Sequence, residues 1–132
     1  MQILPVAVSK SQCQQVSGRL AACKLIGKLC GKFDALVLRQ EICGAVQCLC
    51  QDVNGDVRAG ACQVLAPVAL GLGLETTRTH LLPDLVDLCS DEEISVRLAA
   101  IHALVDMLPL LDHGQLTQSK KFVKHELLIF AA

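Results

Sequence analysis

The sequence has almost no aromatic side chains. It contains three phenylalanines and neither tryptophan nor tyrosine, although 52% of its 132 residues are hydrophobic. Its core must therefore be built from leucine, valine, isoleucine, alanine and cysteine, which suit closely stacked helices. Single-strand nucleic-acid binders stack bases on aromatic side chains, and this chain offers none of the usual platforms.

The chain also lacks an excess of charge of either sign. Twelve lysines and arginines face 13 aspartates and glutamates, which gives a formal net charge of −1. No long-range attraction therefore draws the chain to nucleic acid or to anionic lipid. We expect no nucleic-acid partner.

Neither a targeting segment nor a membrane span is evident. The start, MQILPVAVSK, has no basic region, too short an apolar run and no clear cleavage site. The longest apolar run, VLAPVALGLGL at 64–74, is too short and too rich in glycine and proline to cross a bilayer. We expect a soluble, cytoplasmic protein without membrane contact.

Catalytic and metal-binding motifs are missing as well. Eight cysteines contain no CxxC pair and the four histidines no pair four residues apart, so we expect reduced, buried thiols and no metal or other cofactor. GKLCGKF at 27–33 departs from the phosphate-loop pattern in spacing and in its last residue. GLGLET at 71–76 is not a dinucleotide motif, and Gly71 and Gly73 more simply end a helix. The sequence contains no argument for an enzyme.

The chain instead repeats itself with a period of 39 residues. RLAACKLIGKL begins at Arg19, RAGACQVLAPV at Arg58 and RLAAIHALVDM at Arg97, and the register holds without gaps from residue 3 to residue 110. A period near forty with two helical patterns in each unit is typical of stacked helix pairs. We therefore predict an all-α fold, an α-solenoid of about three units.

Each unit is predicted to contain two helices joined by an acidic turn. The first helix is carried by segments such as 39–50 and 78–89, and the second by the three segments that begin at the arginines. The turns DVNGD (52–56) and DEEIS (91–95) supply oxygens that can cap the second helix. In the first unit only Ser17 offers a comparable oxygen, so we expect a weaker cap there.

Small residues, arginines and aspartates recur at equivalent positions in two or three of the units. Small residues allow neighbouring helix backbones to approach closely, and a row of arginines beside a row of aspartates can form bidentate ion pairs between successive units. We interpret these rows as structural rather than as partner contacts. The small positions are Ala22, Ala61 and Ala100, and the predicted ladder consists of Arg19, Arg58, Arg97, Asp52 and Asp91.

The segment LLPDLVDLCSDEEISVRLAAIHALVDML resembles the HEAT repeats of phosphatase scaffold subunits, with Leu-Pro in the first helix, Asp at the turn and Val-Arg opening the second. Together with RLAACKLIGKLCGKFDA and LCQDVNGDVRAGACQ, it is similar to the N-terminal HEAT array of regulatory subunits of the protein phosphatase 4 type. The resemblance covers about residues 3–112. Gly44 stands where the repeat usually has Pro, and Cys13 where it has Asp.

The resemblance implies a domain organisation and a partner. A HEAT-repeat array would occupy 1–112, with units at about 1–34, 35–73 and 74–112. Residues 113–132 would form a divergent tail, interpreted as the first helix of an incomplete fourth unit. The resemblance further implies a non-catalytic scaffold that holds the catalytic subunit of a protein phosphatase 4 type enzyme and its substrates.

In a HEAT stack the second helices line the concave face, so their outward positions form a candidate partner-contact row. Its members are Lys24, Lys28, Gln63, Pro67, His102 and Asp106. Two alternatives stay open. The chain could be a purely structural spacer or general interaction module, or, on a weaker resemblance to HEAT-like lyases, a chromophore-binding enzyme.

Overall fold

The structure, a computed structural model, describes residues 3–111, and in them it consists of helices without strands. The helix α1 spans Ile3–Ser11 and α2 spans Val16–Leu29, followed by a 3-10 turn at Cys30–Lys32. The helix α3 combines Ala35–Val37, a π-helical turn at Leu38–Ile42, and Cys43–Cys50. The predicted tail, 113–132, lies outside the described residues.

The same pattern then returns. The helix α4 spans Gly55–Leu72. The helix α5 combines Leu74–Thr76, a π-helical turn at Thr77–Leu81, and Leu82–Leu88, and α6 spans Ile94–Met107. The prediction of an all-α solenoid is confirmed, whereas the predicted unit boundaries stay a prediction.

The helices lie in two layers. The second helices form one layer, in which α4 packs against both α2 and α6. The first helices form the other, in which α3 contacts both α1 and α5. Contacts thus run mainly between neighbours along the chain, as expected of a stacked array.

The alanines that recur in the second helices are buried. Ala22, Ala61 and Ala100 each have 0% of their surface exposed. Around them the core is aliphatic and rich in cysteine: Cys23, Cys30, Cys43, Cys50, Cys62 and Cys89 are buried. Within residues 3–111 no aromatic ring is fully buried, and small aliphatic and thiol side chains fill the core instead.

Both later first helices contain a π-helical turn at the same place in the repeat. The amide of Cys43 bonds the carbonyl of Leu38, and the amide of Leu82 bonds that of Thr77, so each turn closes over five residues instead of four. Pro83 follows the second turn, but Gly44 occupies the equivalent place after the first. Proline is therefore not required for the π-helical turn. The sequence patterns did not reveal it.

Helix boundaries also differ from the sequence-based expectation. The first helices begin at Ala35 and Leu74, several residues before 39 and 78. The Asp34 side chain accepts from the amide of Val37 at 3.0 Å, and Gly73, at φ 90°, ends α4 immediately before α5 begins. Gly71 does not end the helix. It lies within α4, where a Cβ atom would approach Leu38 Cδ1 to 2.5 Å.

Capping of the second helices follows the prediction in one unit. Asn54 accepts from the amides of Asp56 and Val57 at the start of α4. At α6 the N-cap is Glu93, and its side chain makes no capping bond, so the expectation of a cap from DEEIS is wrong. Ser17 does not cap α2, because the helix already begins at Val16.

The packing generates a paired prediction. Ala61→Asp places a carboxylate at a fully buried contact, and we expect it to cost at least about 3 kcal/mol of unfolding free energy or to abolish cooperative unfolding. Gln63→Ala, two residues away on the exposed side, should change the unfolding free energy by less than about 0.5 kcal/mol. Urea unfolding followed by circular dichroism measures both. Equal decreases in unfolding free energy for the two variants would show that the buried and exposed faces of α4 are wrongly assigned.

Candidate protein-binding surface

The turns of successive units are joined by bidentate ion pairs. Arg19 Nε donates to Asp52 Oδ2 at 2.7 Å, and its Nη2 donates to Oδ1 at 3.1 Å. Arg58 repeats this arrangement with Asp91, at 2.9 Å and 3.1 Å. Each pair joins residues 33 positions apart, so an arginine of one unit holds the turn of the next.

Each arginine also holds the turn that precedes its own helix. The Nη1 group of Arg19 donates to the carbonyls of Cys13 and Gln14, and that of Arg58 donates to the carbonyl of Asp52. Arg97 donates in the same way to Asp91 and Glu92. The guanidinium fork thus fixes two turns at once, a role the sequence patterns did not indicate.

The aspartates have a second partner as well. Asp52 Oδ1 accepts from the amide of Asn54, and Asp91 Oδ1 accepts from the amide of Glu93, both at 2.9 Å. The carboxylate therefore shapes its own turn and binds the preceding unit. Cys13, which stands at the equivalent place in the first unit, cannot accept such bonds as a carboxylate does.

The ion pairs are largely removed from solvent. Only 11% of each side chain is exposed in the Arg58 and Asp91 pair, so screening by salt is limited. Burial acts to raise the pKa of Asp91, but the hydrogen bonds from Arg58 and from the Glu93 amide, with the charge of Arg58, outweigh it and lower that pKa. The hydrogen bond to Asp91 correspondingly raises the pKa of Arg58.

Glu93 is a second acidic neighbour of Arg58. Its carboxylate lies 3.7 Å from Arg58 Nη2 and occupies the space that a side chain at Gly55 would fill. A negative group is thereby placed over the first turn of α4, where the helix dipole favours it. Spacing alone did not predict this contact, since the first unit has Gln15 at the position that Asn54 and Glu93 occupy in the later two.

The candidate partner-contact row lies on the second helices. Five of its members are exposed and Pro67 is half-buried. Lys24 and Gln63 line a shallow cavity of about 270 Å³ between α2 and α4, together with Asp56. The structure thus brings two of the six around one opening, while Lys28, Pro67, His102 and Asp106 lie outside its lining.

A polar contact also links the first helices. Gln47 donates to the carbonyl of His80 at 3.1 Å, between α3 and α5. Nearby, Asp84 Oδ2 is buried without a hydrogen bond, and burial raises the pKa of this carboxyl although the amides of Gln51 and Gln47 oppose the rise. The burial of this carboxyl thus carries a desolvation cost that the two side-chain amides offset only in part.

No arrangement suited to metal chemistry is found in residues 3–111, where no three potential ligands among histidine, cysteine, aspartate and glutamate come together. The same residues contain no helix that is long and apolar enough to cross a bilayer. What the described structure offers is an ordered stack whose second helices carry exposed charged side chains.

Comparison with known proteins supports this description. The HEAT repeat family model matches residues 81–111, which cover the second half of α5 and all of α6. The chain is 44% identical over 119 residues to human serine/threonine-protein phosphatase 4 regulatory subunit 4, and equally to the mouse protein of that name. These matches cover 89% of this chain but only 14% of each relative.

The ladder predicts a pH dependence. Because the pKa of Asp91 is lowered below its ordinary value of 3.8 in the fold, its stabilisation is complete above about pH 4 to 5 and disappears as pH falls through the lowered value. At pH 7 the free energy of unfolding of Asp91→Asn should therefore be lower than that of the parent by about 1.5–3 kcal/mol. This difference should shrink below pH 4. Urea titrations at several pH values measure this. Asp87→Asn, on the exposed side of α5, is the control, and equal pH profiles for both variants would contradict the prediction.

The buried thiols give a second prediction. Burial raises the pKa of Cys23 to about 11 and that of Cys62 to about 12, whereas Cys48 is exposed. Because the thiolate is the reactive form, iodoacetamide at pH 8 should modify Cys48 first and leave Cys23 and Cys62 unmodified until the chain unfolds. Peptide mass spectrometry reads the order. Modification of Cys62 at the same rate as Cys48 in folded protein would be inconsistent with the core described above.

Proposed function

Because the chain is a HEAT-repeat solenoid related in sequence to a phosphatase regulatory subunit, we propose that it is a non-catalytic, protein-binding scaffold of a serine/threonine phosphatase. Its partner would be a catalytic subunit of the protein phosphatase 4 type. The observation that carries the proposal is the 44% identity over 119 residues. The chain spans about a seventh of the length of those relatives, so the partner of the whole relative comes to this chain as a proposal.

The proposed mechanism is positioning. A stack whose units are locked by arginine and aspartate side chains can hold a docked enzyme and a substrate at a fixed separation. This raises their effective concentration without contributing new chemistry. Such a role requires a rigid stack and a free surface, and both are consistent with the ion pairs and the exposed row.

We place the docking site on the second-helix row. Lys24 and Lys28 are exposed one turn apart on α2, while His102 and Asp106 are exposed one turn apart on α6. The row thus passes from basic to acidic across the stack, and a partner of complementary polarity would bind in one orientation only. Gln63 and the half-buried Pro67 lie between these two ends, on α4.

The proposal is tested by binding to isolated protein phosphatase 4 catalytic subunit, measured by calorimetry or surface plasmon resonance. Lys24→Glu/Lys28→Glu should weaken binding by at least about tenfold, because two contacts of one sign are reversed. Lys10→Glu/Arg78→Glu reverses two exposed charges on the first-helix layer and should leave the affinity unchanged.

Either of two other outcomes would count against the proposal. Absence of binding by folded chain would favour a purely structural spacer for these units. Equal weakening by both double variants would show that binding follows net charge and not the second-helix row. Circular dichroism of each variant ensures that loss of structure is not mistaken for loss of contact.

A further inference from the structure

Asn54 is the only asparagine in the chain, and a glycine follows it. The corresponding pairs at the starts of the other second helices are Gln15 with Val16 and Glu93 with Ile94. Asparagine before glycine is the pair most prone to lose ammonia, because the backbone nitrogen of a residue without a side chain can reach the carboxamide carbon. Of the three turns, that of the second unit therefore carries the reactive pair.

The fold requires both members of this pair. The Asn54 side chain caps α4, because its Oδ1 accepts from the amides of Asp56 at 2.9 Å and Val57 at 3.2 Å. Gly55 is buried, and a Cβ atom there would collide with the carboxylate of Glu93. A larger residue at 55 would slow the loss of ammonia, but Glu93 occupies the space that it needs. Packing between the second and third units thus keeps a reactive pair in the turn.

We propose that Asn54 is a site of spontaneous deamidation and that the opening of its turn sets the rate. In this reaction the Gly55 backbone nitrogen gives up its proton and bonds to Asn54 Cγ, while the carboxamide C–N bond breaks and ammonia leaves. The succinimide that results takes up one water. Cleavage of its new N–Cγ bond gives aspartate, and cleavage of the original peptide bond gives isoaspartate. Water is the only other reactant.

The folded turn opposes ring closure. Asn54 has a ψ of 127°, and bringing the Gly55 nitrogen onto Cγ requires a large rotation about the Asn54 Cα–C bond. The Asn54 carbonyl would turn with it, but this carbonyl accepts from the amide of Arg58 at 3.1 Å. Movement of the carboxamide would also break both bonds of the cap. The reaction therefore needs a local opening of the turn.

The ion-pair ladder holds this turn closed. Asp52 Oδ1 accepts from the amide of Asn54 at 2.9 Å, and the same carboxylate is bound by Arg19 of the preceding unit. Arg58 Nη1 adds a bond to the Asp52 carbonyl at 2.7 Å. Loss of the Arg19 contact would release the Asp52 carboxylate and make opening easier. The rate at Asn54 thus depends on the lock between the first and second units.

The two products affect the stack differently. Aspartate at 54 keeps a capping oxygen and adds a negative charge at the start of α4, which the helix dipole favours. Isoaspartate inserts an extra methylene into the backbone between Asp52 and Arg58, so the turn no longer fits both of its arginine contacts. Because ammonia is lost, the junction between the first two units is loosened in one direction only. The inference is independent of phosphatase binding.

Mass spectrometry of the intact chain during incubation at pH 8 tests the proposal. Because the chain has a single asparagine, a gain of one mass unit in the peptide that contains it reports the reaction. The folded parent should deamidate at least about tenfold more slowly than the chain unfolded in urea. Arg19→Met should react at least about threefold faster than the parent, because the turn opens more often. Asn54→Gln should show no gain on the same timescale.

Two control variants separate opening of the turn from general loss of stability. Arg78→Met removes an exposed arginine of α5 and should leave the rate unchanged. Met107→Ala creates a cavity at the far end of α6, at a side chain that is 1% exposed. At urea concentrations that give Met107→Ala and Arg19→Met equal free energies of unfolding, Arg19→Met should still deamidate faster.

Three results would overturn the proposal. One is deamidation of the folded parent at the rate of the unfolded chain. Another is an equal rate for Arg19→Met and Met107→Ala at matched stability, which would assign the reaction to global unfolding. The third is an unchanged mass of the Asn54 peptide in the unfolded chain, which would show that the pair is not reactive in this sequence.

Discussion

The stack depends on one repeated interaction, the bidentate pair between an arginine at the start of a second helix and an aspartate in the next turn. Arg19 and Asp52 form it once and Arg58 and Asp91 form it again, with the same atoms in contact. The remaining guanidinium nitrogen holds the turn before the arginine's own helix. Two turns and two units are thereby fixed by one side chain, which also explains why the register needs no insertions.

The surface available for partners follows from that constraint. Ala22, Ala61 and Ala100 are buried in the stack, whereas Lys24, Lys28, Gln63, His102 and Asp106 are exposed on the second helices. Such a surface holds its charges at fixed separations. The proposal that this chain is a scaffold rests on that arrangement and on the similarity to a phosphatase regulatory subunit.

Much of the architecture could be predicted because each position of the repeat occurs two or three times in the sequence. The fold class, the buried alanines and the exposure of Lys24 and Asp106 all follow from helical periodicity applied in register. The π-helical turns before Cys43 and Leu82 could not be predicted, because their sequences share only the arginine at 39 and 78, and an arginine does not specify such a turn. The missing cap at Glu93 was also unforeseen, since its carboxylate turns instead toward Arg58 and Gly55. Local sequence signals cannot rank such competing contacts.

The most direct test of the ladder is a double-mutant cycle on Arg19 and Asp52. The unfolding free energies of Arg19→Met, Asp52→Asn and the double variant would be measured in urea at pH 7, with Arg78 and Asp52 as a control pair. The account predicts a coupling energy of about 1–3 kcal/mol for the ladder pair and near zero for the control. A coupling below about 0.3 kcal/mol for Arg19 and Asp52 would contradict it, because the turns would then be held together by the apolar helix contacts alone.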